Sequence, residues 1–235
     1  MSLPHFFLRE QVLAFESAPV FALHLDADDT KHAKVLRLAV GEHIAVVDAV
    51  SDYFECEGVS FEGDEFSVSI AQKLSSYARP EVVLVQGLAK GEKMDTIVRH
   101  ATEVGIAEFV PMTTSRSVVK LDAKKSKARF ERWASIAKSA AMQSGRSSKP
   151  VVHAPCSVAG AVDIAKDCDA VLICWEEAEL SSTLAEAVSC CIAATGKDPR
   201  SLRIALVVGP EGGLTAQEVD LFLALPYAYS ISLGP

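Results

Sequence analysis

Residues 207–213 have the types and spacing of a loop that binds a ligand through its backbone. They read Val-Val-Gly-Pro-Glu-Gly-Gly, after an apolar run and before a segment that begins Leu-Thr. Gly212 and Gly213 allow a positive φ and a close approach of backbone to ligand, and Pro210 stiffens the chain. Amides exposed in such a loop can donate to a carboxylate, to hydroxyl groups or to an adenine edge. We therefore predict binding residues at Gly209, Pro210, Glu211, Gly212 and Gly213, with a glycine-rich turn that holds no ligand as the alternative.

Two further segments place charged residues beside a glycine. Residues 140–146 end a predicted helix, where Gly145 fits the helix stop and Arg146 would project to grip a phosphate or an anionic base. Residues 90–95 follow the first strand of the second half, so that Asp95 would cap a helix and Lys90 would reach an anionic ligand. The alternative for both segments is a structural role, as an exposed arginine at a helix end or a plain helix start.

The charge is unevenly distributed. The chain has 235 residues and a net charge of −8, which argues mildly against a nucleic-acid partner. Residues 116–149, however, hold ten basic residues and two acidic ones, a local charge of +8. Such a stretch either binds phosphate or forms a solvated helix face.

Composition and missing motifs exclude several classes. Hydrophobic residues make up 49% of the chain, an ordinary globular share, and no apolar run reaches the roughly 20 residues that span a membrane. The six cysteines form no CxxC pair, which favours reduced thiols in the cytoplasm. The histidines show no metal-binding spacing, so we expect no metal and no membrane partner. Glycine signatures of dinucleotide enzymes and P-loop NTPases are also missing.

The first 75 residues are β-rich. Short runs of β-branched and aromatic residues at 44–48, 53–59 and 66–70 are separated by turn residues, which predicts a small barrel. One helix is predicted over 30–38, and residues 75–80 resemble a linker.

Strands and helices alternate after the linker. Strands are predicted at 81–88, 106–111, 170–175, 203–208 and 229–233, and helices at 93–104, 127–143, 184–194 and from Thr215, which has capping-box spacing to Glu218. Gly105 fits a C-terminal cap. Continuous apolar strands alternating with helices indicate an α/β fold, a parallel sheet with helices on both faces.

Taken in order, these segments resemble the ribosomal small-subunit RNA uridine-N3 methyltransferases of RsmE type, in the SPOUT superfamily. The set covers nearly the whole chain, and it is the order of the motifs that is specific. The matching residues are Pro4-His5-Phe6-Phe7, His32, Val35-Leu36-Arg37, Lys90-Gly91-Glu92-Lys93-Met94-Asp95, Ala101-Thr102-Glu103-Val104-Gly105, Gln143-Ser144-Gly145-Arg146, Gly209-Pro210-Glu211-Gly212-Gly213 and Leu233-Gly234-Pro235.

The resemblance implies a PUA-like β-barrel that binds RNA (residues 1–75) and a SPOUT domain of the trefoil-knot family (76–235) that works as a homodimer. It implies methyl transfer from S-adenosyl-L-methionine to N3 of one uridine in the 16S rRNA of the small ribosomal subunit. The cofactor would be held near Leu172, by the 209–213 loop, and by Leu233, Gly234 and Pro235. RNA would be positioned by His32, Arg37, Lys90 and Arg146.

The sequence departs from the family pattern at two places. The family's last motif continues past Leu-Gly-Pro into a basic segment and a helix that threads the knot and completes the cofactor pocket. The sequence here ends at Pro235, and a chain without that segment is expected to bind the cofactor weakly or not at all. Met142 stands where the family often has an acidic residue.

The implied reaction needs a cation near the base. Uracil N3 is a poor nucleophile until its proton leaves, and Arg146 is the candidate that would stabilise the resulting anion. The sequence does not identify the general base, and Glu103 is a weak candidate. Three alternatives remain open: a SPOUT methyltransferase for another RNA nucleotide, a non-catalytic RNA-binding or ribosome-assembly protein, and a small-molecule enzyme of Rossmann-like type.

Overall fold

The strands form two separate sheets, which the computed structural model describes over residues 3–75, 78–177 and 182–232. The chain divides into two units. The first contains Met1–Tyr77 and Ser139–Lys149, and the second contains Ala78–Lys138 and Pro150–Pro235. The segment that carries Arg146 therefore groups with the amino-terminal residues.

The first unit is built on a five-stranded sheet with the order β1-β3-β4-β5-β2. Its strands are β1 (His5–Phe7), β2 (Phe21–Ala22), β3 (His43–Val47), β4 (Tyr53–Glu62) and β5 (Glu65–Leu74). Within the described residues no pairing joins β1 to β2, so the predicted barrel stays a prediction. The unit's core includes Phe6, Ile44, Cys56 and Phe66, each at most 1% exposed.

Helix α1 (Ala27–Leu36) of the first unit begins earlier than predicted. The Asp26 side chain caps its amino end by accepting the Asp29 amide, a start signal that places the first helical residue three positions before position 30. Arg37 ends it in the left-handed conformation, with φ of 56°.

The second unit contains an eight-stranded parallel sheet. The order is β11-β13-β10-β12-β6-β7-β8, with β9 also paired to β7. Its strands are β6 (Glu81–Gly87), β7 (Glu108–Thr113), β8 (Val151–Val152), β9 (Cys156–Ser157), β10 (Ala170–Cys174), β11 (Ser182–Thr183), β12 (Arg203–Val208) and β13 (Ala228–Ser232). The pairing confirms the predicted α/β class.

The helices of this unit pack on two apolar clusters that the sheet contributes to. One cluster joins Val83 and Val207 of the sheet to Phe222 of a helix. The other joins Leu84 and Phe109 of the sheet to helix residues that include Trp133. The helices are α2 (Lys93–Val104), α3 (Ala123–Gln143), α4 (Val158–Ala165), α5 (Leu184–Thr195) and α6 (Ala216–Leu223). The residues of α3 from Ser139 onward group with the first unit.

Two helix details differ from the sequence prediction and two confirm it. Helix α3 starts four residues early because the Asp122 carboxylate accepts the Lys125 amide, and α4 was not predicted. Gly105 caps α2 in the left-handed conformation, as predicted. The α6 capping box between Thr215 and Glu218 is present as predicted.

Because the strands are parallel, their ends define two distinct borders. We call the border where β6, β7, β10 and β12 end the carboxyl edge, and the border where they begin the amino edge. Open parallel sheets bind ligands at the first of these.

Candidate functional site

The loop after β12 is a tight turn at the carboxyl edge. Gly213 has φ of +71°, and its amide donates to the Pro210 carbonyl at 2.8 Å. A Cβ on Gly209 would lie 2.9 Å from the Gly213 carbonyl carbon, so the two ends of the turn touch through their backbones. Only glycine fits both positions without rearrangement. Glu211 and Gly212 at the tip are exposed.

The loop also rests directly on the end of β6. A Cβ on Gly87 would lie 2.5 Å from the Pro210 nitrogen and from its Cδ, a distance that requires backbone movement. The Gln86 side-chain amide donates to the Gly209 carbonyl at 3.2 Å. The strand end and the loop are therefore packed as one piece.

On one flank, Glu211 fastens the loop to the segment before α2. Its Oε1 accepts the Lys90 backbone amide at 3.1 Å and lies 3.0 Å from the Lys93 Nζ. Hydrogen bonds from its own amide, from Lys93 and from the Lys90 amide lower the pKa of Glu211 from 4.5 to about 2. Lys90, predicted as an RNA contact, thus lies beside the loop, with its side chain exposed.

On the other flank, Arg116 reaches the loop from the segment between β7 and α3. Its Nη1 donates to the Gly212 carbonyl at 3.0 Å and lies 3.0 Å from Glu177 Oε1. In the sequence, Arg116 is one of ten basic residues of the 116–149 stretch, and Glu177 belongs to no motif. No local pattern indicates this contact, since the partners are 96 and 61 positions away.

Glu218 makes a second connection on this flank that was missed. One carboxylate oxygen accepts the Thr215 amide of its capping box, and the other accepts the Ser115 amide at 2.7 Å. The capping-box spacing predicted the first bond but could not predict the second. The start of α6 is consequently tied to the neighbour of Arg116.

Leu172 lies inside the sheet, not at its edge. Its side chain is 2% exposed and packs against Ala187 and Ile231. The buried Leu172 side chain could therefore act on a ligand only indirectly, by positioning the end of its strand, where Cys174 pairs with Val208. Leu233, Gly234 and Pro235 lie outside the described residues.

The strand that carries Leu172 leads to Trp175. The indole Nε1 of Trp175 is buried and has no hydrogen-bond partner in the part of the chain that is described. Buried donors are normally satisfied. The carboxyl edge therefore has an unsatisfied donor and, at Gly87 and Gly209, positions where a Cβ would clash with backbone. Both features fit an edge that binds a ligand with acceptor atoms, such as S-adenosyl-L-methionine.

In the 90–103 region the predicted role of Asp95 is wrong, and Glu103 lies far from the loop. Asp95 does not cap α2, because the N-cap is Glu92 and no side chain caps the helix. Instead Asp95 accepts from Arg132 at 2.6 and 2.8 Å and from Trp133 at 3.1 Å, and the Arg132 bonds lower its pKa. Glu103 lies in the last turn of α2, which leads to the start of β7 and hence to the amino edge, away from the loop.

Arg146 follows the end of α3 in the first unit. Gly145 has φ of +66°, and the Arg146 amide donates to the Ala141 carbonyl at 3.0 Å, which confirms the predicted helix stop. This end packs on the first sheet, since Ala141 and Met142 join Phe7 in one apolar cluster.

The other predicted RNA residues of the first unit lie on α1 and at its carboxyl end. His32 and Arg37 are exposed, with the His32 ring 6.1 Å from that of Phe6. They share a unit with Arg146, whereas Lys90 and the glycine loop belong to the second.

Residues 3–75, 78–177 and 182–232 contain neither a candidate metal site nor a candidate membrane-spanning helix. No group of three or more His, Cys, Asp or Glu side chains is arranged to hold a metal ion. No helix there is long and apolar enough to cross a membrane.

Solved structures with the same fold are known. A crystal structure of a hypothetical protein aligns with TM-score 0.84 and 30% identity over 98% of this chain and 90% of its own. A ribosomal RNA small subunit methyltransferase E from Neisseria gonorrhoeae, bound to S-adenosyl methionine, aligns with TM-score 0.77 and 23% identity over 99% and 90%. The second match supports the fold alone.

Sequence comparison identifies the family. A family model described as an RNA methyltransferase domain matches residues 77–235. The ribosomal RNA small subunit methyltransferase E of Bacillus subtilis (strain 168) is 34% identical over 208 residues, 87% of this chain and 79% of that protein. The protein of that name from Mycobacterium bovis is 29% identical over 217 residues, 90% and 78%. The chain therefore belongs to the RNA methyltransferase domain family and, within it, to the family of ribosomal RNA small subunit methyltransferase E.

Proposed function

We propose that the protein transfers a methyl group from S-adenosyl-L-methionine to N3 of one uridine in the 16S rRNA of the small ribosomal subunit. The observation that carries the proposal is the glycine loop, packed on β6 and held from both flanks at the carboxyl edge of the sheet. Membership of the RNA methyltransferase family supports methyl transfer as the reaction in which this loop takes part. The uridine and its N3 atom come from the motif resemblance.

In this proposal the backbone of residues 209–213 holds the methyl donor, together with the segment after Leu172 and with Leu233, Gly234 and Pro235. The cofactor, when bound, supplies a methyl group that is already activated for attack. The loop's task is to place the donor in line with the base, which rigid packing on Gly87 favours because misplacement is costly in methyl transfer.

Arg146 has the proposed role beside the base. Uracil N3 must lose its proton before it can attack, and a guanidinium stabilises the resulting anion. Glu103, at the opposite edge of the sheet from the glycine loop, is poorly placed to take that proton. A base within structured rRNA must also be exposed or flipped to be methylated.

The first unit is proposed to act as a PUA-like RNA-binding barrel, with His32 of α1 and Arg37 at its C-cap as RNA contacts. Lys90, in the second unit, is proposed separately as an RNA contact. The proposal includes a SPOUT trefoil knot and a homodimer. The exposed positions of these three side chains are compatible with contact to phosphate.

Mass spectrometry of 16S rRNA from a strain that lacks the gene tests the proposal. We expect one 3-methyluridine to be lost, to be restored by the unsubstituted gene, and to stay lost with Arg146→Ala. Arg200→Ala is the matched control because Arg200 pairs with Asp198 on an exposed surface, 71% and 51% exposed. Loss of a different modified nucleotide would contradict the uridine assignment, and an unchanged rRNA would indicate a non-catalytic protein.

A further inference from the structure

Arg116 is the first residue of the basic stretch, and its half-exposed side chain contacts the glycine loop. The guanidinium Nη1 is shared between the Gly212 carbonyl and the Glu177 carboxylate, each at 3.0 Å. A guanidinium neutralised by a carboxylate attracts a phosphate less than a free one does. Arg116 is thus engaged with the glycine loop.

The contact between Arg116 and the loop is also a close backbone approach. A Cβ on Gly212 would lie 3.2 Å from the Arg116 Cβ and 3.4 Å from its carbonyl oxygen. A Cβ on Gly213 would lie 3.5 Å from Nη1. The two peptides that follow Glu211 therefore lie against Arg116 from its backbone to its guanidinium.

Arg116 is held in place by bonds on both sides of it. The Ser115 amide donates to Glu218 at 2.7 Å, and the Thr114 amide donates to the Ser117 hydroxyl at 3.1 Å. Thr114 and Ser117 are both buried. Because Glu218 also caps α6, which begins just after the loop, one pair of segments is linked twice: Ser115 to Glu218 and Arg116 to Gly212.

We propose that Arg116 is a positioning residue for methyl transfer, which orients the Gly212–Gly213 peptide toward the methyl donor, with Glu177 holding the guanidinium. The inference rests on the proposed cofactor site. It assigns Arg116 to the cofactor loop and not to an RNA-binding surface.

Three variants of the full-length protein test the proposal: Arg116→Ala, Arg116→Lys and Glu177→Gln, with Arg200→Ala as the exposed control. Without cofactor, we expect hydrogen–deuterium exchange of residues 209–213 to accelerate in Arg116→Ala. Calorimetry should then show affinity for S-adenosyl-L-methionine weakened roughly tenfold, the size of one lost hydrogen bond of this kind. Arg116→Lys should recover part of the loss because a lysine can still donate to both oxygens, and Glu177→Gln should have a smaller effect.

The salt dependence of RNA binding separates this role from a phosphate contact. A lost phosphate contact lowers the slope of log affinity against log salt by about one, and we expect no such change in Arg116→Ala. A lowered slope, or loop exchange and cofactor affinity equal to those of the unsubstituted protein, would overturn the proposal. Failure of the unsubstituted protein to bind the cofactor would instead overturn the proposed function itself.

Discussion

Charged side chains make contacts at both edges of the parallel sheet, but they connect strands to strands at the amino edge and loop segments to one another at the carboxyl edge. At the amino edge, Arg203 at the start of β12 lies 2.5 Å from Glu108 of β7 and 3.1 Å from Glu81 of β6. Its amide donates to Asp169, one residue before β10. These contacts tie one strand start to the next. At the carboxyl edge the charged groups reach past the strand ends and bind loop backbone, as Arg116 does at Gly212.

Glu108 at the amino edge is also more deeply buried than Glu211 at the carboxyl edge. The Glu108 side chain is 13% exposed and also contacts His153 at 2.7 Å, whereas Glu211 is 34% exposed. Burial disfavours ionised Glu108, but hydrogen bonds from His153 and Arg203 outweigh it and lower its pKa. Charges at the amino edge are thus used for strand register, and those at the carboxyl edge for the shape of a loop. Substitutions should accordingly lower mainly the stability of the protein at the amino edge and mainly its cofactor affinity at the carboxyl edge.

Gly87→Ala should have the largest effect at the carboxyl edge. The new Cβ would lie 2.5 Å from the Pro210 nitrogen, so the loop must move away from β6. Overpacking of this kind costs about 1–3 kcal/mol. We expect the affinity for S-adenosyl-L-methionine, measured by calorimetry, to fall by at least about 30-fold, or about 2 kcal/mol.

Gly160→Ala is the control for Gly87→Ala. It adds the same methyl group in α4, where the nearest heavy atom is the Cys156 Cβ at 3.1 Å and no part of the loop is met. Its cofactor affinity should stay within about twofold of the unsubstituted protein, since it leaves the loop unchanged. Equal losses in the two variants would show that the loop does not depend on its packing against β6.

Arg203→Met should have the reverse pattern at the amino edge. It leaves the mostly buried Glu108 without its arginine partner, and we expect a loss of about 1–3 kcal/mol in the free energy of unfolding. Urea unfolding measures this loss, and cofactor affinity should change less than about twofold, since the two edges are far apart along the strands. Arg200→Met, at an exposed pair, should cost at most about 0.5 kcal/mol. A large loss of affinity in Arg203→Met would remove the distinction between the edges.

The distance along the chain between contacting residues explains what the sequence could and could not predict. Gly105 as a helix cap and the Thr215–Glu218 capping box were predicted because their partners are a few residues away. The Asp95–Arg132 bond was missed, and Asp95 was wrongly assigned to a cap, because the partners are 37 positions apart. The glycine loop was predicted as a binding element from its residue types. The contacts that shape it are non-local, and only the fold brings them together.

A pH series should detect the carboxyl-edge contacts of Glu211 as a loss of stability in acid. The pKa of Glu211 is about 2 in the folded state, below its ordinary value of 4.5. Between about pH 2 and 4.5 the folded state therefore binds fewer protons than the unfolded state. The stabilisation is complete above about pH 4.5 and is lost as pH falls toward 2. Urea unfolding of the protein and of Glu211→Gln should therefore converge as pH is lowered through this window. Parallel curves would show that the Glu211 bonds do not contribute to folding.

The smallest expected effects come from two lysines, one at each edge, and they give the finest comparison. Lys93 Nζ lies 3.0 Å from Glu211 with 64% of its side chain exposed, and Lys197 Nζ lies 2.6 Å from Asp169, whose side chain is 16% exposed. Exposed pairs contribute at most about 1 kcal/mol. Lys93→Met should leave stability nearly unchanged and weaken cofactor binding by less than about twofold, because the Lys90 amide still holds Glu211. Lys197→Met should cost about 0.5 kcal/mol of stability and leave cofactor affinity unchanged, because the less exposed Asp169 loses a charged partner. Calorimetry and urea unfolding on the same two variants decide the matter, and an affinity loss confined to Lys197→Met would reverse the assignment of the two edges.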